Sequence, residues 1–173
     1  MQNVIKQRQI VRDSWRLLEA AAADVLPAGE VIAPLALWLT QREALLAREG
    51  ALGVWLEGHQ DPAAIAADLA HFALVALRIA KFSDGRAYSA ARLLRERYGY
   101  RGELRAFGDV ARDELLGLER VGFDAFALRE GEDPQAALAA FGELGELYHA
   151  SVTQPLPLFR RRLAALSAPL QAF

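Results

Sequence analysis

The sequence predicts an α/β domain: a mainly parallel sheet built from about five strand–helix units. Two observations carry this. Short runs rich in β-forming residues alternate with helical stretches along most of the chain, and those stretches tend to open on a capping residue or proline and close on glycine. Composition supports a packed fold, since 173 residues that are 53% hydrophobic and 24% charged suffice for one globular domain. Strands alternating with helices require crossover connections, and crossovers make neighbouring strands parallel.

The elements follow in order. Ile5, Ile10 and Val11 suggest a short opening strand or hairpin, and Ser14–Val25 reads as a helical fragment. Gly29-Glu30 leads into the strand Val31–Ala33. Pro34 suits a first helical turn, and Leu35–Arg48 has helical apolar spacing closed by Gly50. Leu52–Leu56 is a second strand, and Asp61 caps the helix Pro62–Ala70 with proline in its first turn. Leu74–Ile79 is a third, interrupted by Ser83-Asp84-Gly85, before a helix Tyr88–Tyr98 closed by Gly99. Glu103–Phe107 is a fourth, with Asp109 capping a helix to Val121 that Gly122 closes. Phe123–Leu128 is a fifth, and Asp133-Pro134 opens the helix Gln135–Leu147. The stretch Glu57–Ala64 is echoed by Glu130–Ala137, either an internal repeat or one loop chemistry used twice. Five strands cannot close an eight-stranded barrel, so the sheet is expected to be open or half-barrel-like. Residues 1–150 form the single domain. Residues 151–173, with prolines at 155, 157 and 169 and the run Arg160–Arg162, form a C-terminal tail. That tail either packs back through Leu156, Leu158 and Phe159 or docks to another chain.

Composition removes several function classes. Acidic and basic residues number 22 and 20, which leaves no global field for nucleic acid or an anionic membrane. The basic helix bearing Arg92, Arg95 and Arg97 reads as a solvated face. With no cysteine there is no thiolate nucleophile, thiolate-held cluster or Cys-type zinc site. His59, His71 and His149 have no metal-ligand spacing, so no metal is expected. GxGxxG, Walker-type and GxSxG motifs are missing, and no cofactor is indicated. The longest apolar stretches, Val31–Leu39 and Phe72–Leu77, fall far short of the ~20 residues that span a bilayer. The first residues lack a secretory pattern, and a cytoplasmic location is expected.

In parallel α/β sheets ligands bind beyond the carboxyl ends of the strands. The loop Lys81–Ser89 there is dense in donors. Gly85 and its small neighbours let backbone N–H groups approach a ligand, Ser83, Tyr88 and Ser89 supply hydroxyls, and Arg86 can grip an anion with two parallel hydrogen bonds. The alternative is that Asp84-Gly85 makes the turn, Ser83 or Asp84 caps the helix and Arg86 pairs with a carboxylate. Lys81, one of two lysines beside 18 arginines, carries an amine that can lose its proton as a guanidinium cannot. Asp109 is the candidate acid or base, with Lys81 as its catalytic companion, and Arg112 and Arg129 share the edge as anion contacts. Glu57 and Glu130 could face each other across it, and His59 lies on it.

The block Lys81–Tyr100, with Gly102–Ala106, Gly108-Asp109-Val110 and Gly122–Phe126, resembles the bacterial family called domain of unknown function 934. The likeness extends to Pro34–Trp38 and Pro155–Arg160. The family has no established activity, but its members tend to be encoded beside sulfite or nitrite reductase and the enzyme that reduces activated sulfate. Ser83 and Ala87 depart from the Thr and Gly common in the family, and Ala87 restricts the backbone where a ligand would approach. Without cysteines, the resemblance implies an accessory or small-anion-binding protein of assimilatory sulfite or sulfate reduction. The alternative is an interaction subunit that supports the reductase through its tail.

Overall fold

The computed structural model describes residues 3–19 and 26–167. Its strands are β1 (Asn3–Lys6), β2 (Gln9–Arg12), β3 (Arg16–Leu17), β4 (Val31–Pro34), β5 (Leu52–Glu57), β6 (Leu74–Ile79), β7 (Glu103–Gly108) and β8 (Ala125–Phe126). They form one sheet in the order β2-β1-β8-β7-β6-β5-β4-β3. From β3 to β8 all pairings are parallel, and the β1–β2 hairpin adds antiparallel on β8. The result is a half-barrel, in line with the sequence expectation.

Strands β4 to β8 are neighbours in chain order, so crossovers of one hand place the connecting helices on a single face. These are α1 (Leu35–Ala47), a 3₁₀ helix at Pro62–His71, α2 (Arg86–Arg92) continuing into a wider turn at Leu93–Arg97, and α3 (Leu115–Arg120); α4 (Pro134–Ala137) follows β8. Beneath them lies the main core, where Val31, Val54, Leu56, Val75, Leu77, Leu104, Ala106 and Phe126 project from successive strands. Alternate residues point the other way, because strand side chains have a period of two. In register, Pro34, Trp55, Ala76, Arg105 and Ala125 form a row across this second, open face. Glu57, Arg78 and Phe107 form the next row. Asp61 and Asp133 cap as expected, accepting from the amides of Ala63, and of Gln135 and Ala136.

Four expectations need correction. Ser14–Glu19 is extended, not helical: Arg16 and Leu18 donate to Glu30 and Ile32 carbonyls at 2.9 Å, which satisfies the outer edge of β4, while the Trp15 ring packs on the open face. The rest of the expected helix, 20–25, lies outside the described residues. Asp109 caps no helix, because the next turn starts at Arg112 and the buried Glu114 carboxylate accepts from the Ala111 amide at 3.1 Å instead. The helix expected over Gln135–Leu147 stops at Gly142 after its last turn tightens. Finally, the tail contains a helix, α5 (Leu158–Ser167), on which Phe159, Leu163 and Leu166 recur at helical spacing and stand exposed.

Candidate functional site

The carboxyl ends of β6, β7 and β8 carry the residues singled out from the sequence. In the loop after β6, Asp84 is buried and the Arg86 guanidinium closes on it, Nε to Oδ1 at 2.8 Å and Nη2 to Oδ2 at 2.7 Å. The Arg86 amide adds a third bond to the same carboxylate. These bonds hold Asp84 well below the usual carboxylate range, at about 2, and raise Arg86. The two donors expected to grip an anion are therefore engaged within the loop. Lys81 and Ser83 are exposed beside them, and Lys81 reaches Asp84 through its charge. Gly85 is the N-cap of α2, and Ser89 faces outward on that helix.

Tyr88 turns inward. Its hydroxyl donates to Glu114, and burial, reinforced by that carboxylate, pushes the phenol up to about 12. Burial likewise holds Glu114 above the ordinary glutamate range, only partly offset by the Ala111 amide. Glu114 had no role assigned from sequence; it lies three residues beyond the true N-cap, Ala111, which has no capping side chain, and the sequence offered Asp109 as the cap instead.

After β7 the chain leaves the sheet at Gly108, whose φ of +98° suits glycine and where a Cβ would stand 2.5 Å from the Ile79 carbonyl oxygen. Asp109 then accepts from Arg129 at 3.2 Å, and Arg129 also holds Glu132 at 3.0 Å. These hydrogen bonds raise Arg129. Arg112 points away from this pair, toward Glu143 and the Ala136 carbonyl.

The open face holds a cleft of about 230 Å³ between the ends of β7 and β8 and the segment Asp13–Leu17. Trp15 and Phe107 line it with Ala76, Gly108 and Ala127, and Arg129 and Glu130 stand at its rim. Arg105 lies in its wall at 4% exposure. Its Nε and Nη2 meet Glu103 at 2.8 and 2.6 Å, its Nη1 meets both Asp13 oxygens, and Lys6 completes the chain on Glu103 at 2.7 Å. Two acids and two bases thus cancel inside the half-barrel.

The structure brings Asp84 to Arg86 and Asp109 to Arg129, and of the singled-out residues it places Arg129 and Glu130 on the cleft lining. Arg112 and Ser89 stand apart from both. Arg105, Asp13, Trp15 and Phe107 were missed, although Glu103-Leu104-Arg105-Ala106-Phe107 alternates charged or aromatic residues with apolar ones. Glu57 and Arg78 pair at 2.9 Å, so Glu57 does not face Glu130 across the edge as a bare carboxylate. Among the described residues no three His, Asp or Glu side chains gather into a metal-holding group, and no helix is long and apolar enough to cross a membrane.

A family model described as a bacterial protein of unknown function, DUF934, matches residues 53–159. The chain belongs to this family. The match takes in β5 to β8, the loop Lys81–Ser89 and Arg129, whereas Asp13 and Trp15 precede it. No curated protein and no solved structure matches the chain.

Proposed function

We propose that this DUF934 protein binds a small anion at the mouth of the cleft and serves assimilatory sulfite or sulfate reduction in the cytoplasm as an accessory. The observation that carries the reading is the Arg129 guanidinium at the cleft rim, half exposed and, among the described residues, tied to the carboxylates of Asp109 and Glu132. Surface pairs of this kind are worth about 0–1 kcal/mol, so an incoming anion can take their place. Binding then frees the Asp109 carboxylate beside the ligand, where it can accept a proton. Lys81 and Arg86 are the competing anion contacts one loop away, but Arg86 must first release Asp84. The link to sulfur reduction rests on the family's gene neighbourhood, and a chain without cysteine suits an accessory better than an electron carrier.

Thermal melts against sulfate, sulfite, nitrite, phosphate and adenylylated sulfate test this. A ligand at a hundred times its dissociation constant stabilises by about 2.7 kcal/mol, a shift of roughly 5–10 °C for a chain of this size. The shift is expected to vanish in Arg129→Ala and persist in Arg86→Ala. Loss in Arg86→Ala alone moves the site to the Lys81–Ser89 loop, and no shift with any anion rejects the reading.

A second reading is supported by α5. Its exposed Phe159, Leu163 and Leu166, beside exposed Arg160, suit docking to a reductase subunit. Removing the chain after Ser151 should then abolish co-purification with that reductase. Intact association would end this reading.

A further inference from the structure

We infer that the cleft takes not a bare anion but a flat, amine-bearing ring with the anionic group attached, a nucleotide-like ligand whose ring enters between Trp15 and Phe107 and whose charge rests on Arg129. This deepens the anion-binding reading and depends on it.

Size gives the first argument. At about 230 Å³ the cleft is smaller than the ~300–1,000 Å³ that houses a drug-sized ligand, so it holds a ring and leaves a charged substituent at the rim. Shape gives the second. Trp15 and Phe107 supply aromatic lining, Phe107 already packs edge-on against Trp55 at 5.7 Å, and Ala76, Gly108 and Ala127 are small and leave room beside them. Aromatic walls favour a π-face over an aliphatic chain.

Charge gives the third. Arg105 is unavailable to a ligand, because all three of its nitrogens are bonded to Glu103 and Asp13 inside the fold, and breaking a buried pair is costly. Arg129, at 47% side-chain exposure, can exchange its carboxylates for another anion. Of the remaining charged groups on the lining, Glu130 stands at the rim, and Asp13, whose oxygens already accept from Arg105, has only lone pairs left to offer, so it selects a ring edge that donates N–H. An anion deep in the cleft would meet Asp13, whereas an anion at the rim meets Arg129, with Glu130 beside it.

The test is tryptophan fluorescence of the full chain, excited to the red of nucleobase absorption and titrated separately with adenosine 5′-monophosphate, adenosine and inorganic phosphate. The monophosphate is expected to bind at least tenfold more tightly than either fragment. Phe107→Leu, which keeps Trp15 as reporter, should weaken it about tenfold while leaving phosphate unchanged. Arg129→Ala should weaken the monophosphate and phosphate alike and leave adenosine unaffected. Ala127→Leu fills the cleft without removing an aromatic side chain and should block the monophosphate and adenosine while sparing phosphate, which covers the case in which Phe107→Leu folds poorly. Phosphate binding as tightly as the monophosphate, with Ala127→Leu silent, overturns the ring and leaves the small-anion reading standing. Adenosine binding as tightly as the monophosphate, with Arg129→Ala silent, overturns both the rim contact and the anion reading. No response to the monophosphate overturns this inference, and phosphate binding alone then decides whether the simpler reading survives.

Discussion

The two faces of the half-barrel are built from the same strands yet obey different rules. On the helix-covered face, every strand from β4 to β8 contributes aliphatic or aromatic side chains to one continuous core, and its specificity comes from packing. On the open face the same strands present a small apolar cluster of Ile32, Trp55, Leu74 and Ala76 beside Glu57, Arg78, Glu103 and Arg105, with Lys6 from β1, and cancelling charge adds to packing there. The covered face explains why the chain folds. The open face, bordered by Asp13–Leu17, carries the cleft at which we propose a ligand binds.

The comparison can be broken or sharpened by substitution. Leu56→Ala cuts a wholly buried side chain out of the covered face and should cost about 4 kcal/mol in urea unfolding. A loss below about 1 kcal/mol would mean that this core is loosely packed. Arg105→Leu leaves Asp13 and Glu103 facing each other inside the open face. It should cost about 3 kcal/mol, moderated by Lys6, which still reaches Glu103. An unchanged midpoint would show that the buried network is not what orders this face. Asp133→Ala removes the cap of α4 and should cost about 1 kcal/mol by the same measurement.

The smallest effects are in pH. Asp84 ionises at about 2 in the folded chain, below the ordinary aspartate value near ~4, so its stabilising contribution is complete above ~4 and is lost as pH falls toward 2. Asp84→Asn should flatten that acid limb of the unfolding curve. Tyr88 has the opposite sign of pH response: an ordinary phenol ionises near ~10 and the folded one at about 12, so stability declines as pH rises through that window. Tyr88→Phe should reduce the decline, and an unaltered alkaline limb would place the phenol in solvent.

Most of the strand–helix alternation was legible because its signals are local. Asp61-Pro62 and Asp133-Pro134 announce caps from residues adjacent in the chain, and the parallel class follows from alternation alone. Ser14–Glu19 was misread because its apolar residues fit a helix as well as a strand, and its pairing partner, β4, lies further along the chain. The site was legible only in part. Arg86 and Arg129 look alike in sequence, both just past strands, but Arg86 has Asp84 two residues away to close on, while Arg129 meets Asp109 from another strand. Arg105 escaped notice because a charge inside a strand has meaning only once the half-barrel gives that strand an interior.

The claim that the open face holds the ligand is tested most directly by amide chemical-shift mapping of the isotopically labelled chain with adenosine 5′-monophosphate. The account predicts shifts at Gly108 and Ala127–Glu130, with little change from Ser83 to Ala87. Shifts confined to Ser83–Ala87 would contradict it and return the site to the loop after β6.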